Sequence, residues 1–103
     1  MNDIDIARKY TNKAQDAYKR NIPFLLSFVE YKRLLKTKKC YYTGVEMVFE
    51  EGNPNCFSID RVDASKGYIP GNVVACTVKF NQKKKDLTMD DLRMIFKKLK
   101  RKL

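Results

Sequence analysis

The stretch Ser58-Ile-Asp-Arg-Val-Asp-Ala-Ser-Lys-Gly-Tyr-Ile-Pro-Gly-Asn-Val-Val-Ala-Cys-Thr-Val-Lys-Phe-Asn-Gln-Lys-Lys84 decides the fold. Phe57, Ile59 and Val62 make a β-prone run that ends in Asp63-Ala-Ser-Lys-Gly67, a cluster of turn formers. Pro70-Gly71-Asn72 closes the loop, and Val73-Val74-Ala75 reads as a return strand. From Thr77 the apolar residues thin out. Phe80, Asn81 and Lys84 share one face of a short helix there, because positions three and four apart are neighbours. The unit is strand, loop, strand, helix, with polar side chains only at particular points.

Upstream, a helix is expected from about Asp5 to Arg20, with Ile6, Tyr10, Ala14 and Ala17 on one face. Arg8, Lys9, Lys13, Lys19 and Arg20 occupy the other, a charged face that is usually solvated but that can grip phosphate. Asn21-Ile-Pro23 breaks this helix. Ser27 then caps a second one, with Glu30 completing a capping box and Leu26 and Tyr31 as the hydrophobic staple. Thr43-Gly44 is a turn, and Val45 to Phe49 a short β-prone piece. Glu50 and Glu51, beside Gly52 and Pro54, are expected to be solvated turn residues rather than an acid pair. Beyond the central unit, Thr88 and Asp91 form a second capping box and Leu87 meets Leu92. Leu92, Ile95, Phe96 and Leu99 form the apolar stripe of the last helix, expected to be core, and Lys97, Lys98, Lys100, Arg101 and Lys102 crowd its far end, where cations suit the dipole.

At 103 residues the chain is expected to be one domain. The fold class is α+β: N-terminal helices over about 5–36, a ββα core over about 56–85, and a C-terminal helix over about 88–101, with no repeat or linker. No run approaches the ~18 apolar residues of a membrane span, and Met1-Asn-Asp-Ile-Asp5 lacks the features of a secretion signal. A cytoplasmic location is expected. Lys+Arg 22 against Asp+Glu 12 gives a net charge of +10, a strong field for so small a domain that favours a polyanion partner. Cys40, Cys56 and Cys76 are too few for a disulfide framework and cannot close a four-ligand zinc site, so reduced thiols and no structural zinc are expected.

The central unit resembles the HNH endonuclease motif, the ββα-metal fold: Asp60 ends the first strand, Gly71-Asn72 opens the second, and Asn81 and Lys84 lie on the helix. Cys40-Tyr41-Tyr42-Thr43-Gly44 is similar to the lead-in segment of phage-encoded members of that family. The resemblance covers the chain from about Leu26 to Leu99. It implies that Asp60 and Asn81 bind one divalent cation and that Asn72 fixes the loop. Arg61 stands where the family has its general-base histidine. A guanidinium stays protonated and cannot accept a proton from water, and the chain has no histidine to replace it.

What the resemblance implies is a DNA endonuclease or nickase using Mg²⁺ or Mn²⁺, which oxygen ligands suit. The cation stabilises charge on the phosphate and assists the leaving oxygen. Lys66, Lys84 and Arg61 are then the candidate phosphate contacts, Asp63 the least unsuited substitute base, and Tyr68 a residue that packs across the loop. Without a positioned base the rate falls by about 10²–10⁴. The rival readings are a non-catalytic nucleic-acid-binding protein on the same scaffold and a phage inhibitor that binds a host protein. To cut both strands in one encounter, a single domain this small would need a homodimer or a phage or host protein partner.

Overall fold

The computed structural model describes residues 1–102. The first helix, α1, spans Asp3–Lys19. It starts two residues earlier than the apolar spacing suggests because Asn2 caps it, its Oδ1 accepting from the Asp5 N–H at 2.9 Å. Asn21, in the left-handed region at φ 55°, turns the chain out of it. The second helix, α2 (Phe28–Leu35), carries the expected Ser27–Glu30 capping box.

Tyr10 of α1 holds these two helices together. Its hydroxyl donates to the Leu26 carbonyl at 2.5 Å. Its ring meets Phe24, Phe28 and Tyr31 edge-on at 5.5, 5.8 and 5.4 Å, the arrangement aromatic quadrupoles favour. Tyr10 thereby fixes α1 against α2 and the segment between them.

Two strands follow, β1 (Phe57–Arg61) and β2 (Val73–Thr77), antiparallel with Phe57 opposite Thr77 and Arg61 opposite Val73. Thr77 is both the last residue of β2 and the cap of α3 (Val78–Lys84), its hydroxyl accepting from the Phe80 N–H at 3.2 Å. The chain therefore passes from strand to helix with no linker, which sets α3 directly beside β1. The last helix, α4 (Met89–Lys100), starts at the expected Thr88–Asp91 capping box. Helices and a two-stranded antiparallel sheet make the class α+β.

Ile6, Ala17, Leu26, Tyr31, Leu35, Ile59 and Tyr68 form the main core, which seals α1 and α2 against the strands. Cys40, Met47, Ala75 and Cys76 form a smaller cluster. Leu34 and Phe57 pack against both.

Two expectations are corrected. The piece from Val45 to Phe49 forms no strand: Glu46 and Val48 each make one isolated bridge, to Lys39 and Cys56. The stripe of α4 is not core. No residue of α4 is buried, and Ile95, Phe96 and Leu99 stand 44%, 62% and 48% exposed. The amphipathic pattern was right, but α1 and α2 already fill the place against the sheet, and periodicity does not name the partner of an apolar face.

Candidate functional site

The loop between the strands is fastened from inside and outside. Inside, the Asn72 side chain is buried, its Oδ1 accepting from the Asp63 N–H (2.9 Å) and its Nδ2 donating to the carbonyls of Asp63 (3.1 Å) and Gly67 (2.9 Å). Outside, Tyr68 pairs with the segment before α2: its N–H donates to the Pro23 carbonyl at 2.8 Å, and its carbonyl accepts from Leu25 at 2.9 Å. Gly67 permits this approach. A Cβ there would stand 2.4 Å from the Pro23 carbonyl oxygen and 2.7 Å from its Cβ. The Tyr68 ring is buried across the loop, as expected.

Asp60, near the end of β1, is the centre of a buried polar cluster. Its Oδ2 accepts from the Tyr42 hydroxyl at 2.5 Å and lies 3.0 Å from the Lys84 ammonium. The Tyr42 ring packs on Phe80 with centroids 4.8 Å apart. Burial, reinforced by the hydrogen bond to Asp60, raises the Tyr42 pKa far above that of a free phenol, so the hydroxyl remains a donor. Both partners take Oδ2. No buried side-chain polar atom among the described residues lacks a partner, and Asp60 lines the adjoining cleft.

That cleft, of about 270 Å³, brings Asp60, Arg61 and Asn81 together. Asn81 donates its Nδ2 to Ser58 Oγ at 2.9 Å, which orients the amide and leaves its oxygen available. The rim is basic: Lys13 and Arg20 from α1 and Lys85 beyond α3 line the same space. Among the described residues Asp60 is the one carboxylate that lines it.

Other expected residues fall elsewhere. Lys84, expected at phosphate, is 2% exposed and paired with Asp60, so a phosphate contact is corrected to an internal ion pair. Lys66 is exposed on the loop and does not line the cleft. Arg61 is held: its Nη1 donates to the carbonyls of Ala64 (3.0 Å) and Lys66 (3.1 Å), and its guanidinium lies 5.4 Å from the Tyr68 ring centroid. Asp63 does not line the cleft. Its Oδ1 accepts from Ser65 Oγ and Ser65 N, which holds the carboxyl below its ordinary range and makes it a weaker base. Glu50 and Glu51 are exposed, as expected for turn residues.

Tyr42, which holds Asp60, and Lys85 are residues that reading the sequence missed, whereas Lys13 and Arg20 are expected on a helix face able to grip phosphate but not at this cleft. Lys13 and Arg20 are seven positions apart, two helical turns, so one side of α1 presents both. That spacing was the available signal. Nothing in the sequence joins Tyr42 to Asp60.

The donor set suits a hard cation. Asp60 Oδ1 and the Asn81 amide oxygen are oxygens on adjacent elements, and a carboxylate ligand whose other oxygen is hydrogen-bonded is the usual supported arrangement. Among the described residues no three His, Cys, Asp or Glu side chains come together. A cation would therefore take its remaining ligands from water and phosphate.

No family model and no solved structure matches the chain. It is 33% identical over 87 residues to an uncharacterised 29.0 kDa protein of Enterobacteria phage T4, an alignment covering 84% of this chain and 35% of that protein. It is 35% identical over 83 residues to an uncharacterised protein of Acanthamoeba polyphaga mimivirus, covering 81% of this chain and 15% of the other. The chain thus spans about a third or less of the relatives it matches. No helix among the described residues is long and apolar enough to cross a membrane.

Proposed function

We propose that the chain is a small viral HNH-like domain that hydrolyses phosphodiester bonds in DNA with one Mg²⁺ or Mn²⁺. The observation that carries this reading is the meeting of Asp60 and Asn81 in one cleft with a rim of Lys13, Arg20 and Lys85. A divalent cation held there supplies Lewis-acid stabilisation of the phosphate and its leaving oxygen. The chain's own residues do the rest. Tyr42 and Lys84 hold the Asp60 carboxylate in one orientation through Oδ2. Ser58 sets the Asn81 amide. Asn72 keeps the loop beside β1, and the basic rim draws the DNA backbone to the cleft.

No side chain in the cleft is suited to take a proton from water, so hydrolysis is slow, by about 10²–10⁴ relative to a site with a positioned base. Nicking of supercoiled plasmid with Mg²⁺ or Mn²⁺, with a chelator control, tests this. Asn81→Ala is the informative variant, because among the described residues its side chain bonds only Ser58, and circular dichroism checks that the variant folds. Metal-dependent nicking lost in Asn81→Ala and increased in Arg61→His supports the reading. Tight binding to plasmid without cleavage in any metal sinks it.

One observation favours a second reading. Arg61 is held by two loop carbonyls and the face of Tyr68, the environment of a structural residue, which suits a non-catalytic nucleic-acid-binding scaffold. Binding would then need no metal, fall steeply with salt, and be unchanged in Asn81→Ala.

A further inference from the structure

The Asp60 cleft has a neighbour. Lys13 lines both it and a second cavity of about 610 Å³, and the Lys13 ammonium, 4.6 Å from the Tyr68 ring centroid, stands where the two meet. Lys9, Lys13, Asp16 and Arg20 follow one another at steps of four, three and four, which makes them a single ridge along α1. The first three line the second cavity and Arg20 lines the Asp60 cleft, so the ridge is a wall common to both. Asp16 bonds Arg20 at 3.3 Å, so its charge is met from the ridge itself, and Lys9 and Lys13 give the wall its sign.

The rest of the lining is of another kind. Phe49 stacks on Phe57 with centroids 5.2 Å apart, and it remains 50% exposed. A half-open aromatic ring with ammonium groups on the adjoining wall is the combination that binds a nucleic-acid strand whose bases are unstacked. A base inside a duplex is covered on both faces and cannot lie on a protein ring. Glu51 also lines the cavity. Its carboxylate repels phosphate and accepts from N–H, which turns a strand's backbone toward α1 and suits the exocyclic amino group of cytosine.

We propose that this cavity holds one unpaired base of the DNA, stacked on Phe49, while the backbone passes over Lys9 and Lys13 toward Asp60. The substrate is then DNA with a strand unpaired beside the scissile phosphate, with cytosine preferred to thymine at that position. The inference rests on the reading above for its polymer, DNA, and on the residues of the cavity for its specificity.

Fluorescence anisotropy with a chelator present reads binding apart from cleavage. The probes are a labelled DNA duplex with a short gap exposing cytosines, the same gap exposing thymines, and the same duplex fully paired. The parent should bind the cytosine gap about tenfold more tightly than the paired duplex. Phe49→Leu, with unchanged circular dichroism, should lose that margin and keep its affinity for the paired duplex, and Glu51→Ala should level cytosine with thymine. The gapped duplex should also slow the reaction of Cys56, on the wall of the cavity, with a thiol reagent. Equal affinity of the parent for gapped and paired duplex, an equal loss for both in Phe49→Leu, or an unprotected Cys56 overturns the proposal. A gap preference that depends on Phe49 while no metal gives cleavage sinks the hydrolase and leaves the base site standing on a DNA-binding scaffold.

Discussion

Lys84 on α3 sets its ammonium 3.0 Å from Asp60 Oδ2 on β1, with side chains 1% and 6% exposed. The pair joins the short helix to the strand that carries the candidate site. Removing one member leaves a charge inside the protein without its partner. Lys84→Met is expected to destabilise the fold by about 3–5 kcal/mol, read from urea midpoints. Adding Asp60→Asn to Lys84→Met should recover part of that loss. A Lys84→Met protein as stable as the parent would mean that the pair does not persist in solution.

Asn72 makes three hydrogen bonds that close the loop on itself. In Asn72→Ala the carbonyls of Asp63 and Gly67 and the N–H of Asp63 lose their side-chain partner, at about 1–3 kcal/mol for each group that stays buried. Limited proteolysis should then cut between Asp63 and Pro70 faster than in the parent, while α1 and α2 remain intact. Equal cleavage rates would place the rigidity of the loop elsewhere.

Gly67 is fixed by a close approach and Gly71 by conformation. Gly67→Ala forces a methyl group against the Pro23 backbone and is expected to cost about 1–3 kcal/mol, as overpacking does. Gly71, at φ 83° with open space around a Cβ, is expected to lose about 1–2 kcal/mol as alanine from backbone strain alone. Thermal melts of the two variants check both values. They also distinguish them, because only Gly67→Ala should loosen the contact with Pro23 in hydrogen exchange at Tyr68.

Cys76 is fully buried, and burial, with the nearby Asp60 carboxylate, pushes its thiol up to about 12. A raised folded-state value means that the stability it contributes is intact below the ordinary value near 9.0 and is lost as pH rises toward about 12. Across that alkaline window the parent should lose stability more steeply than Cys76→Ala, by up to about 1.4 kcal/mol per pH unit. In the native state at neutral pH, half-buried Cys56 should react with a thiol reagent well before buried Cys40 and Cys76.

Much of this architecture was legible because it is local. Ser27 with Glu30 and Thr88 with Asp91 announce their helices, and the turn formers after Val62 mark the loop between the strands. The site was legible in part. Asp60 and Asn81 do share a cleft, but Lys84, equally polar in sequence, turned inward, because a helix position does not say whether the partner it meets is solvent or a buried carboxylate. Tyr42 and the rim cations Lys13 and Arg20 reach the cleft only through tertiary packing, which no local spacing encodes. The exposure of α4 was illegible for the same reason: its pattern specifies a face and leaves the occupant open.

The double fastening of the loop by Asn72 and by Pro23 and Leu25 has a mechanical consequence. A wall held on both sides has no hinge, so the ordering entropy of the cleft is met when the protein folds and not when a ligand arrives.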